Sequence, residues 1–249
     1  MRKSILILAA TVALSTSATI CMCAQNRVTV PFVGCKSDGQ MGPIAAPHGH
    51  DVSVSIPANL AIKLSWYEGQ YGPGVLAPRG WDCFSTYGSN GSTLFVTPNA
   101  IDSKLFFSSD WRGFSGPVIQ VSIADGETSG RFEVARAIAR LFPAYTQFLR
   151  NVIAEGIEPA ANFPSGPFPG DKVRRIVKNI VEFETPAMQQ GLGTTSRLRP
   201  DTDPIAGVAM LVGEEPSLFQ LSIRTPAQER YLVRAIIKQF EQNVSRIKD

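Results

Sequence analysis

Chemistry in this chain is limited first by histidine, because the sequence contains only His48 and His50, both in Pro47-His48-Gly49-His50-Asp51. On an extended segment, residues two apart point the same way, so both imidazoles and the Asp51 carboxylate could converge on one metal ion. A closed site would need a fourth ligand, and none is identifiable. A polar loop leading into a strand at Asp51 accounts for the same residues, and no cofactor is expected. Either imidazole could instead serve as the base for a cysteine nucleophile. Cys83 is the candidate, since a triad is a geometry and not an order along the chain. The same sulfur has a structural alternative, a disulfide with Cys35.

The run Trp81-Asp82-Cys83-Phe84-Ser85 resembles the Asp-Cys-Ser nucleophile motif of cell-wall cysteine peptidases. That resemblance implies an envelope hydrolase acting through Cys83. The chain departs from the pattern in two respects: the motif's Gly-Leu tail is missing, and no histidine follows the cysteine. Serine chemistry has less support. Gly113-Phe114-Ser115-Gly116-Pro117 lacks the closing glycine of a nucleophile elbow, and the Ser-x-x-Lys at Ser245 to Lys248 falls at the end of the last helix. Carboxylates such as Asp110, Asp125 and Glu127 have no spacing that marks a glycosidase pair.

Binding has more to draw on. Trp66, Tyr67, Tyr71, Trp81, Phe84 and Tyr87 gather in a Gly-rich stretch that also carries Arg79. Aromatic rings beside glycine and serine loops form stacking platforms for sugars, and they also form cores. Trp66, Tyr67, Tyr71, Arg79 and Trp81 are therefore the binding candidates, together with Arg197 and Arg199. Those two arginines lie in the pattern-free stretch 185–204, which also holds Gly191 and Gly193. Such a loop could hold an anion, although no helix start follows it to add a dipole. Long structureless loops are functional or disordered, and disorder is the preferred expectation here.

These residues must be positioned by short elements. Strands are expected at 27–33, 51–56, 81–87, 92–97 and 118–124, separated by Gly/Pro-rich loops, with a short helix over 59–67. Helical spacing follows Ser129-Gly130, breaks at Pro143 and resumes to Gly156. Strands are expected again at 176–184, 205–212 and 217–224. Thr225, Pro226 and Gln228 then read as the capping box of a final helix. The expected fold is α+β: a β-rich N-terminal half, and a C-terminal half of helices packed on an antiparallel sheet. Residues 25–249 are expected to form one domain, with a subdivision near 126–130 as the alternative.

The N-terminus supplies the setting. Met1-Arg2-Lys3, the apolar run from Ile5 to Leu14 and the small residues after it predict a secretory signal peptide over 1–24. Cleavage after Ala18 is the alternative; it would retain Cys21 and Cys23. Loss of Arg2 and Lys3 lowers the formal charge from +3 to +1. A nearly neutral chain without a basic cluster excludes a nucleic-acid partner, and cleavage leaves no stable membrane anchor. An oxidising compartment makes a Cys35–Cys83 disulfide the default. The expectation is an exported periplasmic or secreted protein that binds a small molecule, a glycan or an envelope protein without catalysis. The alternative is a cell-envelope hydrolase using Cys83 with His48 or His50.

Overall fold

The structure is a computed structural model and describes residues 27–247. The expected signal segment, with Cys21 and Cys23, lies outside the described residues. Strand β1 (Val28–Val30) leads directly into β2 (Phe32–Gly34) and β3 (Lys36–Gly39), and these three strands join three different sheets. β1 pairs antiparallel with β4 (Val52–Val54). After the single-turn helix α1 (Ala58–Ala61), β5 (Leu64–Glu68) pairs parallel with β2 and antiparallel with β6 (Val75–Pro78).

The main sheet has eight strands. In chain order it is entered by β3, β7 (Asp82–Gly88), β8 (Gly91–Thr97) and, after the short helix α2 (Ser103–Phe106), β9 (Val118–Ala124). Helices α3 (Arg131–Leu141) and α4 (Thr146–Ala154) precede β10 (Lys172–Val177), β11 (Ile180–Thr185), β12 (Ile205–Val212), β13 (Ser217–Arg224) and helix α5 (Arg230–Arg246). Spatial order is β10-β11-β12-β13-β9-β8-β7-β3, with only the β3–β7 edge pair parallel. The protein thus combines helices and sheets as expected, and the two expected halves share this one sheet.

Strand alternation assigns the layers. On one face, Val121, Leu221 and Met210 pack with Leu232, Ile236 and Phe240 of α5, and the three-stranded sheet joins the same core through Tyr67 and Leu76. On the other face, Ala209, Leu211 and Leu218 meet Val134, Ile138 and Leu141 of α3. Further along that second face, Phe84 and Phe95 are covered by Phe106, with Trp111 and Phe114 packed alongside.

Several local expectations are corrected. The stretch 59–67 is helical only through α1; Leu64 to Tyr67 form a strand whose consecutive residues are all buried. A short continuous apolar run carries no period that separates strand from helix, and burial on both sides decided for strand. The strand expected over 176–184 is a hairpin, in which Val177 opposes Ile180. The final helix starts later than its capping box predicts. Ala227–Glu229 is a 3-10 turn, and the buried Thr225 hydroxyl has no hydrogen-bond partner.

The stretch 185–204 is also ordered, against the expectation of disorder. Leu198 is fully buried with Val118 and Ile205, and its backbone bridges Phe114. Arg224, 1 % exposed at the end of β13, organises the segment from beneath. Its guanidinium donates to the carbonyls of Gly116, Arg199 and Phe114. The amides of Thr202 and Gly116 donate to Asp201 and hold its carboxyl below the usual range. The pattern-free stretch is therefore held by buried Leu198, by Asp201 accepting from Gly116 N, and by Arg224 through the Arg199 carbonyl, rather than by periodic packing.

The expected disulfide is present: Cys35 and Cys83 are bonded, 48 residues apart in sequence. Cys35 occupies the single position between β2 of the small sheet and β3 of the large one. The bond ties that crossing point to β7, and it is of the kind that oxidising, extracytoplasmic compartments sustain. Among the described residues no helix is long and apolar enough to cross a membrane.

Candidate functional site

A cleft of about 800 Å³ opens where the large sheet, the small sheet and the C-terminal end of α5 meet. Its back wall is a single cross-strand row. Tyr87 of β7 opposes Ser92 of β8, which opposes Ile123 of β9, which opposes Phe219 of β13. Alternation along each strand sends these four to one face of the sheet. The hairpin Gly88-Ser89-Asn90-Gly91 forms one lip, as its turn residues predict, with Gly91 at φ +135°.

The opposite wall is built by β5 and the loop after it. Trp66 lies along the cleft and donates its indole N–H to Glu68 Oε2 at 2.7 Å. The loop then turns at Gly72, whose φ of +86° suits glycine, and Gly74 passes closely over the Trp66 ring. This brings Tyr71, 46 % exposed, against Tyr87 with ring centroids 4.9 Å apart. Met41, on the loop after β3, and Ile247, just past α5, are exposed at the rim. Asn243, Gln40, Ser89 and Thr128 supply neutral polar groups, and Asp125 adds a second carboxylate to that of Glu68.

The structure separates the aromatic candidates. Trp66 and Tyr71 line the cleft, joined by Tyr87. Tyr67 points away: it is fully buried and donates its hydroxyl to the Pro78 carbonyl at 2.8 Å, and burial pushes its pKa up. Trp81 packs half-buried against the main core. Arg79 donates to the carbonyls of Ala61 and Leu64, tying α1 to the small sheet. Arg197 and Arg199 lie elsewhere, donating to the carbonyls of Phe106 and Arg112.

No family model, curated protein or solved structure matches this chain. The site's own geometry defines what it can hold.

That geometry bears on the sulfur and metal candidates too. Cys83 Sγ is bonded to Cys35 Sγ, so the bonded state offers no thiolate to attack a substrate. His48, His50 and Asp51 are all exposed on the segment that passes beside Phe32 and Gly34. Among the described residues no three His, Cys, Asp or Glu side chains group as a metal would require.

Sequence reasoning missed most of the cleft. Ile123 and Phe219 read as core, and Met41, Asn243 and Ile247 belong to distant segments with no local signal. The exceptions are Trp66 and Tyr71, named as binding candidates, and the Asp125-Gly126-Glu127 turn, visible as a carboxylate-bearing loop but without a location. Only the strand register brings these parts together.

Proposed function

We propose that this protein is an exported, non-catalytic binding protein whose cleft takes a saccharide. The observation that carries the reading is the exposed Tyr71, leaning on Tyr87 across a cleft with an apolar wall and a rim of neutral polar groups. A sugar has a C–H face that rests on aromatic and aliphatic surface, and hydroxyls that seek amide, hydroxyl and carboxylate partners around it. Glu68, already holding Trp66, and Asp125 are placed to accept from such hydroxyls. The disulfide and the signal-like N-terminus support an extracytoplasmic setting, where envelope glycans are within reach.

The test is titration of the purified protein with soluble oligosaccharides (chitobiose, cellobiose and maltose), followed by tryptophan fluorescence and calorimetry. Binding of at least one is expected, with a change in indole emission. Tyr71→Ala should weaken it at least tenfold, about 1.4 kcal/mol. No binding by any of the three, or an unchanged affinity in Tyr71→Ala, would overturn the proposal. A thiol titration of the unreduced protein should find Cys35 and Cys83 unreactive; a reactive, low-pKa thiol would instead favour the hydrolase.

A further inference from the structure

The opposite face of the same four strands carries a second hollow, of about 440 Å³, roofed by residues 194–197. Its floor is the neighbouring cross-strand row, Thr86, Thr93, Ser122 and Gln220, with Gln120 and Phe95 beside it. This row is out of character with its surroundings. To one side the sheet face packs Leu218 and Ala209 against α3, and to the other Phe95 against Phe106. Folding alone would favour branched or aromatic residues across the gap, since a covered amide carries a desolvation penalty. Departures of this kind from the local rule concentrate at functional positions.

Gln120 is only 4 % exposed, yet it is an amide. It donates to Ser122 Oγ at 2.8 Å and accepts from the Thr195 hydroxyl at 3.4 Å. Gln220 donates to the Leu192 carbonyl at 2.8 Å. Gln220 also donates to Ser222 Oγ at 3.5 Å, so its free capacity is its amide oxygen, while Gln120 keeps one N–H and one lone pair. Charge is muted. Glu133 at the mouth pairs with Arg136 at 2.8 Å, while Arg197 donates to the Phe106 carbonyl and stacks over the Phe106 and Trp111 rings. The roof is fixed in advance: Thr194 N donates to the Gly191 carbonyl at 3.1 Å, Thr195 N to the Leu198 carbonyl at 2.9 Å, and Leu198 N to Thr195 Oγ1 at 2.9 Å.

We propose that this hollow is a second ligand site, for a neutral polyhydroxylated molecule of monosaccharide size. Hydroxyls and amide groups that between them donate and accept match sugar hydroxyls, and the volume lies within the roughly 300–1,000 Å³ of ligand pockets. A roof already held in place lowers the ordering cost of binding. The site uses the other face of the sheet and none of the cleft's aromatic rings, sharing only Ile123 with its lining.

The experiment is an NMR titration of the isotope-labelled full chain with glucose and with N-acetylglucosamine at millimolar concentrations. Saturable shifts are expected at the amides of Thr93, Ser122 and Thr195 with at least one of the two sugars. Gln220→Met and Thr93→Val should each weaken that binding at least tenfold, while Tyr71→Ala in the cleft leaves it unchanged. Thermal unfolding of each variant verifies its fold, and the wild-type titration stands without them. Shifts confined to the cleft, no shifts with either sugar, or a crystal soaked in sugar that shows ordered water only would each overturn the proposal.

Discussion

Arg224 and Glu241 are buried charged residues with opposite consequences. Arg224 sits beneath the 185–204 segment with its N–H groups on three backbone carbonyls. Arg224→Met leaves those carbonyls without a donor, at a cost of about 3–5 kcal/mol. Urea unfolding should read that loss, and limited proteolysis should cut first within 185–204; equal resistance in variant and wild type would show that other contacts hold the segment. Glu241 faces Glu182 from α5. Burial raises its pKa, with the neighbouring Glu182 adding to the rise and Lys238 opposing it. Burial also acts upward on Glu182, but the guanidinium groups of Arg234 and Arg174 outweigh it and hold that carboxyl low. The folded state therefore favours protonated Glu241, so the stability it lends is full below its unfolded pKa and is lost as pH rises through the folded value. Glu182 runs the other way, lending stability that is lost as pH falls through its depressed value. Glu241→Gln, which cannot ionise, should gain in melting temperature relative to wild type as pH is raised from acid to neutral. A difference that stays flat across that range would mean that folding does not raise the Glu241 pKa.

Elements set the two hollows, and Gly72 tests how rigidly. A Cβ on Gly72 would meet Ile123 Cδ1 and would need a positive φ. Gly72→Ala should cost about 1–3 kcal/mol and displace Tyr71, so saccharide affinity in the cleft falls with the fold intact. Calorimetry beside circular dichroism would check this, and unchanged affinity would show that the loop relaxes without moving Tyr71. How much of this was legible in the sequence depended on whether the signal was local. The alternation of Phe219, Leu221 and Ile223 against Gln220 and Ser222 gives the two faces of β13 directly, and the Gly88–Gly91 turn gives one lip of the cleft. The stretch 59–67 misled because its apolar run suits either helix or strand. The loop 185–204 misled because its order comes from long-range contacts, Leu198 with Val118, Asp201 with Gly116 and Arg199 with Arg224, which no local pattern announces. Of the cleft, Trp66 and Tyr71 were legible as candidates but the back wall was not, since Tyr87, Ser92, Ile123 and Phe219 become neighbours only through strand pairing.

At the scale of the described molecule, a covalent tie fastens the junction between the small sheet and the large one to β7. Removing it with Cys35→Ala and Cys83→Ala releases a 48-residue loop in the unfolded chain. The chain-entropy model puts the loss at about 4 kcal/mol. The double variant should melt roughly 10 °C lower than the oxidised wild type, and reduction of the wild type should lower its melting point comparably. A change below about 2 °C would place the molecule's stability in its cores alone. The expected architecture, helices combined with sheets, follows from patterns readable within each segment. How the small sheet meets the large one depends on β3 pairing parallel with β7, and no local period announces a parallel edge.

The two rows that line the hollows are adjacent residues on the same four strands, so one sheet writes two surfaces in alternating letters. Point substitutions can edit either surface alone: Tyr71 or Phe219 belongs to one message, Thr93 or Gln220 to the other. A one-residue insertion within β8 cannot be so selective. It would turn the strand's hydroxyls and apolar groups to opposite sides from that point on, placing Thr93 in the cleft wall and Ser92 or Leu94 under the 194–197 roof. Variation by substitution leaves the two surfaces free to diverge, while any change of length in these strands disrupts both at once.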